Sequence, residues 1–217
     1  MTTVLFDVDG TLVDSNDAHA HAWVKAFAED GIDVSFDSVR RCIGMGGDKL
    51  MAQVTGINEE SSQGKRISAR RREIFKTEFL PHIHPFRDAL PLVAALKARG
   101  LTVVAASSAK REELDPLLDV AGVRSHFAAA TSSDDAEESK PDPDIVQAAL
   151  RRARADAANA VMIGDTPYDV EAARRAGVST IAFRCGGWSD ADLRGAIAIF
   201  DGPWDLLHDL DQIFGKI

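Results

Sequence analysis

The stretch Val4-Leu5-Phe6-Asp7-Val8-Asp9-Gly10-Thr11-Leu12-Val13-Asp14-Ser15 decides how the chain reads. Val4, Leu5 and Phe6 form a short apolar run, the pattern of a buried strand. Two carboxylates separated by one residue follow, and Gly10 then breaks the pattern. Open α/β sheets bind ligands beyond the carboxyl ends of their strands, which is where Asp7 and Asp9 fall. Side chains two apart on a strand share a face. Here the chain is leaving the strand, so Asp7 points into the site and the turn re-aims Asp9. A carboxylate so placed can act as a nucleophile toward phosphorus. A second one nearby can pass a proton to a leaving oxygen and take one from water. Magnesium, which prefers oxygen ligands, suits the same pair. An Asp-x-Asp-Gly turn also opens calcium loops, but those continue with further ligands and a closing Glu. This stretch continues with Thr11, Leu12 and Val13.

From Asp14 to Phe86 the pattern is helical. Ala18, Ala22, Trp23, Ala26 and Phe27 recur at helical spacing before Gly31. A second helix is expected over Phe36–Cys42 and a third over Asp48–Val54, with Gly44-Met45-Gly46-Gly47 as the break between them. A fourth spans Glu59–Phe79 and stops at Pro81. After Pro85 helices and strands alternate. Helices are expected over 88–98, 112–120, 144–153, 170–176 and 204–214, and strands over 101–106, 127–130, 161–163, 179–183 and 198–200. Alternation of this kind means βαβ units and a mainly parallel sheet. The expectation is an α/β fold, a doubly wound parallel sheet formed by residues 1–14 and 87–217, carrying an inserted all-helical domain over 15–86.

The chain has 217 residues, 45% of them apolar, enough for a real core. Its net charge of −9 argues against nucleic-acid binding, which needs a basic footprint. Arg70-Arg71-Arg72 reads as a solvated helix face. Cys42 and Cys185 fit neither a metal spacing nor a disulfide framework, and suit a reducing compartment. No stretch reads as a signal peptide or reaches membrane length. A cytoplasmic protein with no membrane partner is the expectation, with a monomer as default and a dimer left open.

Three further segments carry chemistry. The apolar run Val103–Ala106 ends in Ser107-Ser108, and a hydroxyl at a strand end can bond a phosphoryl oxygen. Ser139-Lys140-Pro141-Asp142-Pro143 sets a lysine before a rigid turn and a helix start. A fixed ammonium there offsets the charge of a carboxylate and a phosphate together, as a point charge. Val161-Met162-Ile163-Gly164-Asp165-Thr166-Pro167-Tyr168-Asp169 ends a strand in two carboxylates four apart. They can face one cation, or cap and favour a helix N-terminus.

Asp7 through Ser15 resembles the first motif, DxDGTLxDS, of the phosphatase branch of the haloacid dehalogenase (HAD) superfamily. Ser107 resembles the second-motif Ser/Thr, with Ser108 as the register alternative. Lys140 resembles the third-motif lysine of KPxP, and Gly164-Asp165 with Asp169 resembles the fourth motif, GDxxxD. The resemblance covers essentially the whole chain. It implies a HAD-like Rossmannoid core with a helical cap, Asp7 as nucleophile and Asp9 as general acid/base, assisted by Ser107 and Lys140. It also implies Mg2+ held by Asp7, the Asp9 carbonyl and Asp165, with Asp169 acting often through water. The Gly10–Thr11 backbone is expected to bind phosphoryl oxygens. The implied substrate is a small phosphorylated metabolite, phosphoglycolate- or sugar-phosphate-like.

The cap is expected to set specificity. Gly46, Gly47 and Lys49 lie where cap loops of this family reach substrate, and the same residues also read as a plain interhelix turn. His19, four residues before Trp23, resembles a sugar-binding His of the β-phosphoglucomutase-like branch, which makes an intramolecular phosphosugar mutase the alternative. Arg70-Arg71-Arg72 departs from the cap lysine of that branch, and Thr11 is common in the phosphatases. Dehalogenase relatives resemble DxYGT, and Asp9 stands where they have the aromatic residue.

Overall fold

The computed structural model describes residues 2–215. In chain order, β1 (Thr3–Phe6) leads into α1 (Asn16–Glu29), α2 (Phe36–Arg40), α3 (Gly47–Thr55) and α4 (Ser62–Ile74). Then come α5 (Ala89–Ala98), β2 (Thr102–Ala106), α6 (Arg111–Val120), β3 (Ala129–Thr131), α7 (Asp144–Ala153) and β4 (Ala160–Gly164). The chain finishes with α8 (Pro167–Arg175), β5 (Ser179–Phe183), β6 (Ala198–Phe200), α9 (Pro203–His208) and α10 (Leu210–Phe214). Two compact units result: Met1–Asp14 with His84–Ile217, and Ser15–Ile83.

The first unit is built on a sheet of order β3-β2-β1-β4-β5-β6. All five strand pairings are parallel. The chain winds outward from β1 through β2 to β3, then returns to the other side of β1 and winds through β4 to β6. The reversal lies between β1 and β4, and open α/β sheets bind ligands beyond the strand ends at such a switch point. Every residue of β1 is buried, as expected of a central parallel strand covered on both faces. Leu5, Val104 and Met162 cluster with Ile145, Val146 and Ala149 of α7 and Ala172 and Ala173 of α8. Val4 and Phe6 alternate to the opposite face. Fully burying side chains of this size is worth about 1.5–3 kcal/mol each, which anchors β1 and fixes where Asp7 emerges.

The expected fold class is present, and several boundaries differ for local reasons. Residues 84–86, expected in the helical insertion, belong to the sheet unit. His84 accepts from the Asp14 N–H at 3.0 Å, the Phe86 N–H donates to Leu12 at 3.0 Å, and Val13 bridges to Pro85. β3 begins two residues late because Phe127 turns its ring edge-on to Phe6, with centroids 6.1 Å apart. At the other end of β3 the Thr131 hydroxyl donates to the Ala105 carbonyl at 2.8 Å. The expected last helix, 204–214, breaks at Asp209, whose ψ of 14° leaves the helical range. α8 starts at Pro167, earlier than expected, for a reason that belongs to the site below.

The second unit is helical throughout among the described residues. Ser61 caps α4, its side chain accepting from the Gly64 N–H. The expected single helix over 59–79 is α4 followed by a π-helical turn over Phe75–Phe79. Pro81 has no N–H to close an α-turn onto Thr77, so the helix cannot continue. No helix among the described residues is long and apolar enough to cross a membrane.

Candidate active site

Asp7 continues the line of β1, its N–H donating to the Ile163 carbonyl of β4 at 2.9 Å. Its carboxylate is buried. The chain then turns back on itself. Gly10 takes φ 71°, a left-handed conformation that suits glycine. The Gly10 N–H donates to Val13 and the Thr11 and Leu12 N–H groups to Val8, at 2.8, 3.3 and 2.8 Å. The Gly10 and Thr11 N–H groups are thus engaged within the turn. Asp9 is half-buried. The Thr11 side chain is fully buried and its hydroxyl donates to Asp165 Oδ1 at 2.8 Å.

Lys140 reaches the same place from the segment before α7. It is among the largest fully buried side chains of the protein. Its Nζ lies 2.7 Å from Asp7 Oδ1 and 2.7 Å from Asp169 Oδ1. Burial works against the Lys140 charge, but Asp169 and Asp7 outweigh it and hold the ammonium above its ordinary value. Burial also pushes the Asp7 carboxyl well above its usual range. Lys140 pulls it back, and Asp169, Asp165 and Asp9 push it further up.

Asp165 and Asp169 arrive from the end of β4 and the first turn of α8. Thr166 and Asp169 form a reciprocal cap. The Thr166 hydroxyl accepts from the Asp169 N–H, while Asp169 Oδ2 accepts from the Thr166 N–H at 3.0 Å and its hydroxyl at 2.7 Å. This cap, with Pro167 at the first helical position, explains the early start of α8. It also orients Asp169, leaving Oδ1 toward Lys140. Gly164 makes room for this, since a Cβ there would lie 2.5 Å from Asp169 Cγ. One oxygen each from Asp7, Asp165 and Asp169 lie within 4.8 Å of one another. All-oxygen, buried and close, this set fits a hard divalent cation. Asp7, Asp165 and Asp169 are the residues that could hold it, Asp169 being also engaged by Thr166 and Lys140.

Ser107 stands at the end of β2, buried, with its N–H donating to Thr131 at 3.1 Å and its Oγ accepting from the Ala109 N–H at 3.0 Å. Ser108 next to it is half-buried. Asp7, Ser107 and Asp165 therefore all sit at carboxyl ends of neighbouring strands, with Lys140 bonded to Asp7.

One stretch of the site carries no motif. After β5 the chain runs through Arg184-Cys185-Gly186-Gly187. The Cys185 thiol donates to the Gly10 carbonyl at 3.4 Å. Burial pushes that thiol up, with Asp165 adding to the effect. Gly186 lies directly against Asp165, and a Cβ there would fall 1.8 Å from Oδ2. The paired glycines after a strand were the available signal.

The residues expected to touch substrate from the helical domain lie in the second unit. His19 is buried, stacked on Phe75 with centroids 3.9 Å apart, and its Nδ1 lies 2.8 Å from Arg71 Nη2. The Arg71 guanidinium lies over Trp23 at 5.3 Å and over Phe75 at 5.6 Å. The reading of Arg70–Arg72 as a solvated face therefore fails at Arg71, which turns inward, while Arg70 pairs with Glu29 and Glu73 on the surface. Gly46 is the N-cap of α3 and Gly47 its first residue, one residue before the expected start. A Cβ on Gly47 would lie 2.9 Å from the Trp23 ring. Lys49 is half-buried in the first turn of α3.

The site thus joins a doubly wound parallel sheet, an aspartate-bearing turn after its central strand, a buried lysine and a carboxylate cluster. The family model for haloacid dehalogenase-like hydrolases matches residues 4–183, and the chain belongs to that family. The phosphoglycolate phosphatase of Rhodospirillum rubrum is 30% identical over 218 residues, covering 93% of this chain and 89% of that one. The phosphoglycolate phosphatase of Aquifex aeolicus is 28% identical over 215 residues, 98% of each chain. A hydrolase from Pseudomonas syringae superposes with a TM-score of 0.92 at 28% identity, covering 98% of this chain and 99% of that one.

Proposed function

We propose that this phosphatase hydrolyses a small phosphomonoester, phosphoglycolate- or sugar-phosphate-like, through an aspartyl-phosphate on Asp7. The observation that carries this is the pairing of a buried Asp7 carboxylate with Lys140 at 2.7 Å, beside the second carboxylate, Asp9, on the same turn. Asp7 attacks phosphorus in line, and the bond to the leaving oxygen breaks as Asp9 gives that oxygen its proton. Asp9 then takes a proton from water, whose oxygen attacks phosphorus. The bond to Asp7 breaks and inorganic phosphate leaves. Lys140 and the Ser107 hydroxyl hold charge on the phosphoryl oxygens, since such chemistry depends on positioning and charge stabilisation. Mg2+ held by Asp7 and Asp165, with the Asp9 carbonyl, would neutralise phosphoryl charge. Asp169 acts by holding Lys140. Substrate choice is assigned to the helical unit.

A phosphate-release screen over small phosphomonoesters with Mg2+, wild type beside Asp7→Asn, tests the reading. Selective release that Asp7→Asn abolishes is expected. Equal release by both proteins contradicts it. No release by the wild type, with turnover of β-glucose 1-phosphate given a bisphosphate activator, would favour the phosphosugar mutase.

A further inference from the structure

Asp165 is held from two sides by groups that lie far from it in sequence or across the sheet, Thr11 after β1 and Gly186 after β5. The Thr11 hydroxyl donates to Oδ1 at 2.8 Å, with both residues fully buried. The Gly186 backbone lies so close to Oδ2 that only a glycine fits. The two holders are themselves tied together, because the Cys185 thiol donates to the carbonyl of Gly10, the residue before Thr11. A carboxylate oxygen offers about two lone-pair directions. With Oδ1 committed to a hydroxyl and Oδ2 backed by main chain, the group cannot swing to present both oxygens to one ion.

We propose that Thr11, Cys185 and Gly186 form a collar that restricts Asp165 to one-oxygen ligation, and so make the site favour a small octahedral divalent cation over a larger one. Mg2+ takes single oxygens at short distance in rigid octahedral geometry, whereas Ca2+ accepts more ligands and takes carboxylates two oxygens at a time. Supporting contacts to a ligand are commonly worth 10–100-fold in metal affinity. The collar residues are positioning residues. The inference rests on the reading above that Asp7 and Asp165 hold a divalent cation.

The test is calorimetric titration of the chelator-treated protein with MgCl2 and, separately, CaCl2. Wild type, Thr11→Val, Thr11→Ser and Cys185→Ala are compared, each first checked for folding by circular dichroism. Thr11→Val keeps the shape and removes the hydroxyl. It is expected to weaken Mg2+ binding about tenfold and to weaken Ca2+ binding less, so the preference narrows. Thr11→Ser restores the donor and should return both values close to wild type. Cys185→Ala, which frees the loop from the Gly10 carbonyl, should narrow the preference in the same direction by a smaller factor. Thr11→Val with unchanged Mg2+ affinity and unchanged preference would overturn the collar while leaving the cation reading intact. Equal losses for both ions, unrescued by Thr11→Ser, would also overturn it. Wild-type protein that binds neither ion would overturn the cation reading and the collar with it.

Discussion

Lys140 and Asp169 form an ion pair at 2.7 Å in which each side chain is only 1% exposed. The same ammonium contacts Asp7 at 2.7 Å. One buried cation therefore stands between the carboxylate at the end of the central strand and the carboxylate that caps α8. Its removal leaves two buried carboxylates without their countercharge, and breaking buried pairs in this way costs roughly 3–5 kcal/mol.

Lys140→Met is accordingly expected to lower the unfolding free energy of the metal-free protein by about that amount and to abolish turnover. Urea unfolding followed by circular dichroism measures the first effect. A loss well under 1 kcal/mol would show that the carboxylates find other partners.

Asp165→Asn and Asp169→Asn should separate ligand from support. Asp165→Asn removes the proposed direct cation ligand and should weaken Mg2+ binding the more of the two. Asp169→Asn keeps the shape of the α8 cap and takes away half of the countercharge of Lys140, so kcat should fall while Mg2+ affinity changes less. Titration calorimetry beside steady-state kinetics distinguishes them, and the reverse ranking would make Asp169 a direct ligand.

The raised Asp7 carboxyl gives a pH dependence with a definite sign. A cation binds the ionised carboxylate and competes with the proton that Asp7 retains above the ordinary carboxylate range. Mg2+ affinity should fall as pH is lowered from neutrality, and binding should release protons, more of them as pH drops toward the Asp7 value. Calorimetry in two buffers of different ionisation enthalpy counts those protons. Binding enthalpies that do not depend on the buffer would contradict the raised carboxyl.

His19 is packed inside the second unit by Phe75 and Arg71. His19→Ala leaves the Arg71 guanidinium without that acceptor, and a buried polar contact of this kind is worth about 1–3 kcal/mol. Faster amide hydrogen exchange in α1 and α4 than in β1 and β4 is the expected signature. Unchanged exchange in α1 and α4 would show that the contact adds nothing to the unit.

Much of the fold was legible because its signals are local. The apolar runs before Asp7, Ser107 and Asp165 each end in a polar residue at the carboxyl end of a strand, and a parallel sheet gathers such ends at one edge. Asp7, Lys140, Asp165 and Asp169 meet across more than a hundred residues of sequence for that reason. At Arg71 charge and spacing point in opposite directions, the charge to solvent and the spacing inward. Ile67, Arg71, Ile74 and Phe75 recur at helical intervals, and that places Arg71 on the buried face. Cys185 and Gly186 escaped because close approach of backbone to a side chain leaves only a glycine in the sequence, and glycines after strands ordinarily mark turns. Residues 84–86 join the sheet unit through pairing with 12–14, which is long-range and leaves no periodic pattern in the sequence.

The most direct test of the account is to trap the phosphorylated enzyme. Wild-type protein is mixed with a substrate found in the phosphate-release screen and Mg2+, quenched rapidly in acid, digested and examined by mass spectrometry. The account predicts one added phosphoryl group on the peptide that contains Asp7, absent when substrate is omitted and absent in Asp7→Asn. A phosphoryl group on another residue, or full turnover by Asp7→Asn, would contradict it.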